Sequence, residues 1–242
     1  MLQNLDCEPK TLRAINVGAR RRRILEAAGE LIAREGMDAL SMRKLAREAG
    51  FSVTTLYNLF GSRDDIVCAL VHDLVDRIDR ILDVEAPLDD PIERCRAVIT
   101  VSIAYILEHE SLCRPMFVAL YAGLSAPPSD RFGMPERAAG MQRVAIEAAV
   151  ERGLLRDVLA PDVLGSQIYH GYDMACSLWA RGLIDTAEFE ARALYGLYVA
   201  LLSVASDALR PDLEAELKKL EPDLRGPARS GDKPEDDEEI TA

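Results

Sequence analysis

Residues 39–67 read ALSMRKLAREAGFSVTTLYNLFGSRDDIV, and this stretch decides the fold of the N-terminal part of the chain. Within it, residues 41–49 and 52–60 keep apolar side chains at helical spacing. A serine stands at the N-cap position of each segment, and Gly50 joins the two segments. Two short helices joined at a glycine predict a helix-turn-helix. Its second helix presents a polar face made of Thr54, Thr55, Tyr57 and Asn58.

The charge of the chain is distributed unevenly. The whole sequence has 29 Lys and Arg against 41 Asp and Glu, a net charge of −12, which argues against a general polyanion-binding protein. Residues 11–63 carry ten basic and five acidic side chains, a net charge of +5, so the other residues carry −17. We therefore expect the N-terminal part to face the phosphates of a nucleic acid and the rest to be repelled by them.

Sequence elements on both sides of this stretch extend the pattern. A first helix with an apolar face leads through Gly36 to Ser-x-Arg-x-Leu-Ala at 41–46, and then to AGFS at 49–52, TLYNLF at 55–60 and SRDD at 62–65. From about residue 23 to residue 70 the sequence resembles the tetracycline-repressor (TetR) family of bacterial regulators. It departs from the family pattern at Val53 and Thr54, where a basic residue and a glycine are common, and at Leu59, where an aromatic residue is common. These departures concern the DNA sequence preference, not the fold.

The resemblance implies an all-α fold with two domains. An N-terminal three-helix helix-turn-helix DNA-binding domain precedes a helical ligand-binding and dimerisation domain. We place a flexible arm at 1–19, the DNA-binding domain at 20–65, the effector-binding and dimerisation domain at 66–210, and an acidic, disordered tail at 211–242.

The polar face and the resemblance together predict the residues that contact DNA. Threonines near the start of a recognition helix offer hydroxyls to base edges and methyl groups to thymine. Tyr57 resembles the family's phosphate-contacting tyrosine, and Arg63 takes a position usually filled by lysine. An ordinary solvated or half-buried role is the alternative for each residue. The predicted set is Ser41, Arg43, Ser52, Val53, Thr54, Thr55, Tyr57, Asn58 and Arg63.

The two ends of the chain leave alternatives open. The arginines at 20–23 either reach along the DNA backbone or into its minor groove, or form a solubilising leader. Residues 221–242 hold eight acidic and three basic side chains with little apolar content, which is typical of disorder. This tail either competes with DNA for the basic face or only solubilises the protein. No window has the roughly 20 apolar residues of a membrane span, and none resembles a signal peptide, so we expect a cytoplasmic protein.

After a long helix at about 62–82, the periodicity predicts further helices at about 91–109, 112–124, 135–152, 161–183 and 186–209. The last two have broad apolar faces, which are either central in the domain or paired with another chain. In the family resembled, the last two helices of each subunit form a four-helix dimer interface. The resemblance therefore implies a homodimer that reads a palindromic operator of double-stranded DNA, with an interface at Trp179, Leu194, Leu197, Tyr198 and Leu201.

The resemblance also implies an effector cavity among the helices of the second domain. A small, mainly apolar effector is expected there, and ordinary core packing is the alternative for each apolar residue. His170 and Asp173 are favoured because a polar group on an otherwise apolar helix needs a partner. The predicted lining is Tyr105, Met116, Phe117, Tyr121, Met141, Tyr169, His170, Asp173 and Met174.

Two functions of different class follow from these observations. The first is a repressor that an effector releases from DNA by displacing the helix at 62–82. The second is a dimeric DNA-binding protein of the same fold without a small-molecule ligand, which answers to a protein partner or organises DNA. A cavity in the second domain would favour the first function, and a filled core would favour the second.

Other kinds of chemistry have little support in the sequence. It has no Gly-rich phosphate loop, no HExxH and no Gly-x-Ser-x-Gly motif, so we expect no catalytic residues, metal or cofactor. The five cysteines form no CxxC pair, which is typical of reduced thiols. A thiol redox sensor is a further alternative, because Cys95 and Cys113 each stand next to an arginine.

Overall fold

The computed structural model describes residues 12–86, 88–122 and 134–225. Within these ranges the chain forms α-helices, a 3-10 turn at Met37–Ala39 and no strand, so the all-α prediction is confirmed. In chain order the helices are α1 (Leu12–Glu35), α2 (Met42–Ala49), α3 (Val53–Phe60), α4 (Arg63–Glu85), α5 (Pro91–Glu108), α6 (Glu110–Ala122), α7 (Met134–Glu151), α8 (Pro161–Ala180), α9 (Thr186–Val204) and α10 (Arg210–Arg225).

The N-terminal helices pack around a small apolar core. Helix α1 contacts α2, α4 and α6, and α2 contacts α3. Ile24 and Leu31 of α1, Leu45 of α2 and Leu56 of α3 are fully buried together. Because α2 and α3 have only eight residues each, they depend on this burial for their stability.

Helices α5 to α10 form the larger, C-terminal part. Helix α8 packs between α7 and α9, α5 contacts both α7 and α9, and α10 lies against α9. The approach of α7 to α8 is close at Gly165, where an added Cβ would lie 2.9 Å from the carbonyl oxygen of Ala139. A larger residue at this position would force the two helices apart.

Helix α4 connects the two parts. It starts three residues after α3 ends and buries residues along most of its 23-residue length, from Ile66 to Leu82. At its C-terminal end, the buried Arg94 of α5 donates hydrogen bonds to the carbonyl oxygens of Leu82 and Ala86, the latter at 2.7 Å. The Leu82 carbonyl also accepts the backbone N–H of Ala86 at 3.0 Å, so Arg94 adds a second bond there and supplies one to the carbonyl of Ala86, the residue that ends the helix.

Two of the predicted domain boundaries are wrong. Residues 12–19 belong to α1, so the part of the predicted arm that the structure describes is helical. Residues 211–225 belong to α10, where Leu213 and Leu217 are buried, so this part of the predicted tail is folded. The spacing of four residues between these leucines gives α10 an apolar stripe despite its many charges. The rest of both predictions, residues 1–11 and 226–242, lies outside the described residues.

Candidate functional site

The helix-turn-helix is assembled from local signals that the sequence contains. The Ser41 hydroxyl accepts a hydrogen bond from the backbone N–H of Lys44, at 3.3 Å, and the Ser52 hydroxyl accepts one from Thr55, at 3.1 Å. Gly50 ends α2 with a φ of +73°, a left-handed conformation that favours glycine. The two caps and the turn fix where α3 begins relative to α2.

The predicted DNA contacts on α3 fall into two groups. Thr54, Asn58 and Tyr57 are exposed, and 52% of the Tyr57 surface is accessible, which is unusual for an aromatic side chain. Thr55 is half-buried and shares a 2.8 Å hydrogen bond with the Ser52 hydroxyl, while Val53 packs against the core. The first group is free to meet a partner molecule, whereas the second group shapes the start of the helix.

Two arginines of the predicted set differ in environment. Arg43 is exposed on α2. Arg63 is half-buried, and its Nη2 donates a 2.8 Å hydrogen bond to the carbonyl oxygen of Met37 in the 3-10 turn. Arg63 therefore ties the start of α4 to the turn that precedes α2.

The arginine run at 20–23 lies within α1, and two of its members pack on the helix-turn-helix. The Arg21 guanidinium lies 4.2 Å from the ring centre of Phe60 and donates a hydrogen bond to the carbonyl oxygen of Leu59. The Arg23 guanidinium lies 5.5 Å from the ring centre of Phe51. Cation–π contacts of this kind hold α1 against α3 and the turn. Both sequence-based alternatives, a DNA-seeking arm and a solubilising leader, miss this packing role.

Ion pairs reduce the positive charge of the N-terminal part. Lys44 pairs with Glu35, and Arg34 lies between Glu35 and Glu48, at 3.0 and 3.6 Å. Hydrogen bonds from Lys44 and Arg34 lower the pKa of Glu35. The charge left for a polyanion therefore comes mainly from the other arginines.

A cavity of about 70 Å³ lies in the C-terminal part, between α4, α5, α6, α7 and α8. Most of its wall is aliphatic or aromatic. Its polar side chains come from four helices, and Asp173 is the single charged residue among the described residues that line it. The residues with the most polar character are Ser102, Tyr121, Gln142, Tyr169, Tyr172 and Asp173.

Two polar features of this cavity stand out. The Tyr121 hydroxyl donates a 2.7 Å hydrogen bond to Oδ1 of Asp173. Burial raises the pKa of Asp173, and the Tyr121 hydrogen bond and the charge of His170 only partly oppose this rise.

The second polar feature is the amide of Gln142, a residue that is 1% exposed. Its Nε2 donates a 3.0 Å hydrogen bond to the carbonyl oxygen of Cys95, but its Oε1 has no partner among the described residues. A buried amide oxygen without a partner carries a desolvation cost.

Comparison with known proteins identifies the N-terminal helices. Residues 24–70 match the model of the tetR family of bacterial regulatory proteins, which covers α1 from Ile24, then α2 and α3, and the first turns of α4. Residues 24–70 form the N-terminal helix-turn-helix of the TetR family.

Relatives and solved structures of the TetR family extend this result. The uncharacterized HTH-type transcriptional regulator Rv1255c of Mycobacterium tuberculosis is 33% identical over 91 residues, which are 37% of this chain and 45% of that protein. The chain thus spans less than half the length of this relative. The HTH-type transcriptional regulator Rv1816 of the same organism is 26% identical over 195 residues, covering 72% of this chain and 81% of that protein.

The crystal structure of a TetR transcription regulator from Haloarcula marismortui has a TM-score of 0.61 and 20% identity, covering 78% of this chain and 100% of that chain. At this identity the similarity shows that the C-terminal helices share the TetR fold.

Five residues of the predicted effector set line the cavity: Phe117, Tyr121, Met141, Tyr169 and Asp173. The other four do not. Tyr105 stacks on His109 with ring centres 4.3 Å apart and, with the buried Met116, borders a separate groove between α1, α4 and α6. His170 and Met174 are exposed on the outer side of α8. For these four residues the prediction of a cavity lining is wrong.

The five side chains predicted at the dimer interface lie inside the single chain and are not available for contact with a second one. Trp179, Leu197 and Leu201 are fully buried within the single chain, and Leu194 and Tyr198 are at most 6% exposed. The broad apolar faces of α8 and α9 pack against each other and against α5, α6 and α10, so they are central in this domain. The exposed apolar residues of these helices are different ones, namely Val163, Met174 and Val199.

The cysteines next to arginines are buried. Burial raises the pKa of the Cys95 thiol to about 12, and that of the Cys113 thiol to about 12. A redox-sensing thiol needs an accessible thiolate, so the redox-sensor alternative is wrong for both residues.

None of the helices α1 to α10 is long and apolar enough to cross a membrane.

Proposed function

We propose that this protein is a homodimeric transcriptional repressor of the TetR family that binds a palindromic operator and is released from it by a small, mainly apolar effector. The observation that carries the DNA-binding part is the exposed face of α3. Three polar side chains on it, Thr54, Tyr57 and Asn58, have no role in the packing of the domain. The helix is fixed at its start by the Ser52 cap and held against α1 through Arg21. A short, rigid helix with a free polar face suits the major groove.

Positive charge around this helix supports the same role. Arg22, Arg43 and Arg47 are exposed, and no ion pair among the described residues involves them. Exposed guanidinium groups beside a recognition helix can contact phosphates, which position a protein on DNA without reading its sequence. The strongly negative remainder of the chain would keep the other surfaces away from DNA.

Dimerisation is supported by an exposed stripe on α8 and α9. Val163 and Met174 of α8 are 57% and 62% exposed, and Val199 of α9 is 46% exposed. Gly171 and Gly196 leave open space where a Cβ would stand. Apolar side chains beside glycines allow helices of two chains to approach closely, as in a four-helix interface. A two-fold axis there would set two α3 helices about 34–36 Å apart, one turn of DNA.

The size of the cavity supports release by an effector. An engineered apolar cavity of about 150 Å³ binds benzene, whereas this cavity has about 70 Å³. An organic effector must therefore bind an expanded form of the domain. Ligands that bind one conformation better shift the population toward that conformation.

Helix α4 is placed to transmit this expansion. Val71, Val75 and Ile78 of α4 form one wall of the cavity. The same helix is bound at one end to the 3-10 turn through Arg63 and at the other end to α5 through Arg94. Because the Arg63 bond and the short connection to α3 link the first turn of α4 to the helix-turn-helix, a displacement of α4 would be passed on to α3.

The alternative is a dimeric DNA-binding protein of the same fold that takes no small molecule. The cavity, with the unpartnered oxygen of Gln142, favours the effector-responsive repressor. A hydrogen-bond donor of a ligand would offset the desolvation cost of this buried oxygen.

Fluorescence anisotropy tests the proposal. The full chain would be titrated against labelled duplex from the region upstream of its own gene and against a scrambled duplex, at low and at physiological salt. We expect a preference for the upstream duplex that persists at physiological salt, with two or more chains per site.

Two variants sharpen the test. Thr54→Ala should weaken specific binding, whereas the matched control Thr186→Ala, at an exposed position outside the helix-turn-helix, should not. Loss of one base contact should cost about 1–3 kcal/mol. Absence of binding to either duplex at low salt would contradict the DNA-binding proposal.

A further inference from the structure

Several polar groups of the cavity wall already make hydrogen bonds within the protein. The Ser102 hydroxyl donates to the carbonyl oxygen of Val98 at 2.5 Å, the Tyr121 hydroxyl donates to Asp173, and the Gln142 amide donates to the carbonyl oxygen of Cys95. The hydroxyl hydrogens of Ser102 and Tyr121 and one of the two amide hydrogens of Gln142 therefore have acceptors in the protein. Acceptors remain, because Gln142 Oε1 has no partner and the Asp173 carboxylate has lone pairs left.

Asp173 makes no ion pair with a Lys or Arg of the described chain, and the charge that acts on it is that of His170, which lies on the exposed side of the same helix. None of the ion pairs among the described residues involves Asp173, and no Lys or Arg of the described chain lines the cavity. The surrounding surface comes from apolar residues and from the rings of Phe117, Tyr121, Tyr169 and Tyr172. A carboxylate in such surroundings is stabilised by an incoming cation, and aromatic rings attract cations through their faces.

We infer that the effector is a compact organic cation: a protonated amine on a small apolar body, with its N–H groups directed to Asp173 and Gln142. This inference rests on the proposed role of the cavity as the effector site. A carboxylic acid would meet the charge of Asp173 and is excluded by repulsion. A neutral alcohol can donate one hydrogen bond but cannot compensate the carboxylate.

The test compares probes that share an apolar body. Benzylamine, cyclohexylamine and butylamine, each with its alcohol and its carboxylic acid of the same carbon skeleton, would be titrated into the full chain by isothermal calorimetry at neutral pH. At least one amine should bind about tenfold or more tighter than its alcohol, since hydrogen bonds to charged groups are the stronger ones. The carboxylate of the same skeleton should show no binding.

Two variants connect the preference to the cavity. Asp173→Asn keeps the shape of the side chain and should reduce the affinity of the amine to that of the alcohol. Asp162→Asn removes an exposed charge from the same helix and should leave the amine preference unchanged. If Asp173→Asn does not fold, the ranking of amine, alcohol and carboxylate on the unmodified protein still decides the inference.

Each outcome has a defined meaning. Binding of a carboxylate as tightly as its amine, an unchanged ranking in Asp173→Asn, or no binding by any of the three amines would overturn the inference. Specific DNA binding without amine binding would leave the DNA-binding part of the proposed function intact and refute the ligand class alone. Amine binding by a protein that ignores every duplex would refute the proposed function instead.

Discussion

The guanidinium of Arg114 lies 4.0 Å from the ring centre of Trp179, and its Nη1 donates a 2.5 Å hydrogen bond to the Trp179 carbonyl oxygen. On another side, the same indole ring stacks against Phe189, with ring centres 5.5 Å apart. Arg114 belongs to α6, Trp179 to α8 and Phe189 to α9. Three helices thus meet at one fully buried ring, inside a single chain.

Arg114→Ala should therefore destabilise the protein. Loss of the cation–π contact and of a charge-assisted hydrogen bond is expected to cost about 1–3 kcal/mol. Urea unfolding followed by the fluorescence of Trp179, the single tryptophan, measures this cost. Arg143→Ala is the control, because Arg143 makes the same kind of (i,i+4) ion pair with Glu147 on an exposed face but touches no tryptophan. Equal effects of the two substitutions would show that only the surface ion pair matters.

Met174→Glu should weaken dimerisation. The substitution places a charge in the middle of the exposed stripe on α8, where two copies of the same helix would meet around a two-fold axis. Light scattering coupled to size-exclusion chromatography should show a monomer, or a dimer that dissociates at higher concentration than the unmodified protein does. Val84→Glu adds the same charge at a site that is 81% exposed on α4 and should have no effect. A stable Met174→Glu dimer would place the interface elsewhere.

Arg43→Ala and Arg63→Ala should separate DNA contact from packing. Arg43 is exposed, so its loss should leave the melting temperature unchanged, weaken binding to all duplexes, and reduce the slope of log K against log salt by about one. Arg63 holds the 3-10 turn through Met37, so its loss should lower the melting temperature as well. Thermal melts and salt titrations of both variants would contradict this assignment if only the Arg43 variant melted earlier.

Asp173→Asn should stabilise the ligand-free protein at neutral pH. Burial raises the pKa of Asp173 in the folded state. The ionised carboxylate therefore lowers the free energy of unfolding, and this loss of stability is greatest at pH values above the raised pKa. As the pH falls through that pKa, the folded state takes up the proton and the penalty disappears. The melting temperature of Asp173→Asn should therefore exceed that of the unmodified protein at pH 7, with a gap that closes toward pH 4. A gap that widens in acid would contradict this sign.

Local sequence signals predicted the helix-turn-helix well because its geometry depends on neighbouring residues. Ser41, Ser52 and Gly50 act within three residues of their own positions, as caps and as a left-handed turn. The family resemblance over these residues then implied that the C-terminal part of the chain is also helical. The helices of the second domain were found for the same reason, since proline and glycine mark several of their ends.

The partner of an apolar face is not encoded locally. Leu197 and Leu201 were predicted to contact a second subunit, but they are buried within their own chain, partly because α10 covers α9. The charged composition of α10 concealed the two buried leucines that make it part of the domain. His170 and Asp173 are only three residues apart on α8, yet the packing of neighbouring helices places only Asp173 at the cavity.

Gln142 was missed although the sequence contained a signal for it. It lies three residues after Ala139 and three before Ala145, and with Ile146 and Ala149 these residues form the buried stripe of α7. A polar residue on an apolar stripe is a candidate for a functional role, because burial must be offset by a partner. Periodicity on α7 therefore places the amide inside the domain, but it cannot show that one oxygen is left unpaired.

The burial of Leu213 and Leu217 in α10 sets a practical limit on how the protein can be shortened. A chain cut at residue 210, where the acidic character of the sequence begins, would lose the helix that covers α9 and leave apolar surface in water. Such a protein would aggregate for reasons unrelated to its function. A chain that ends after Arg225 keeps the whole of α10 and with it the cover over α9.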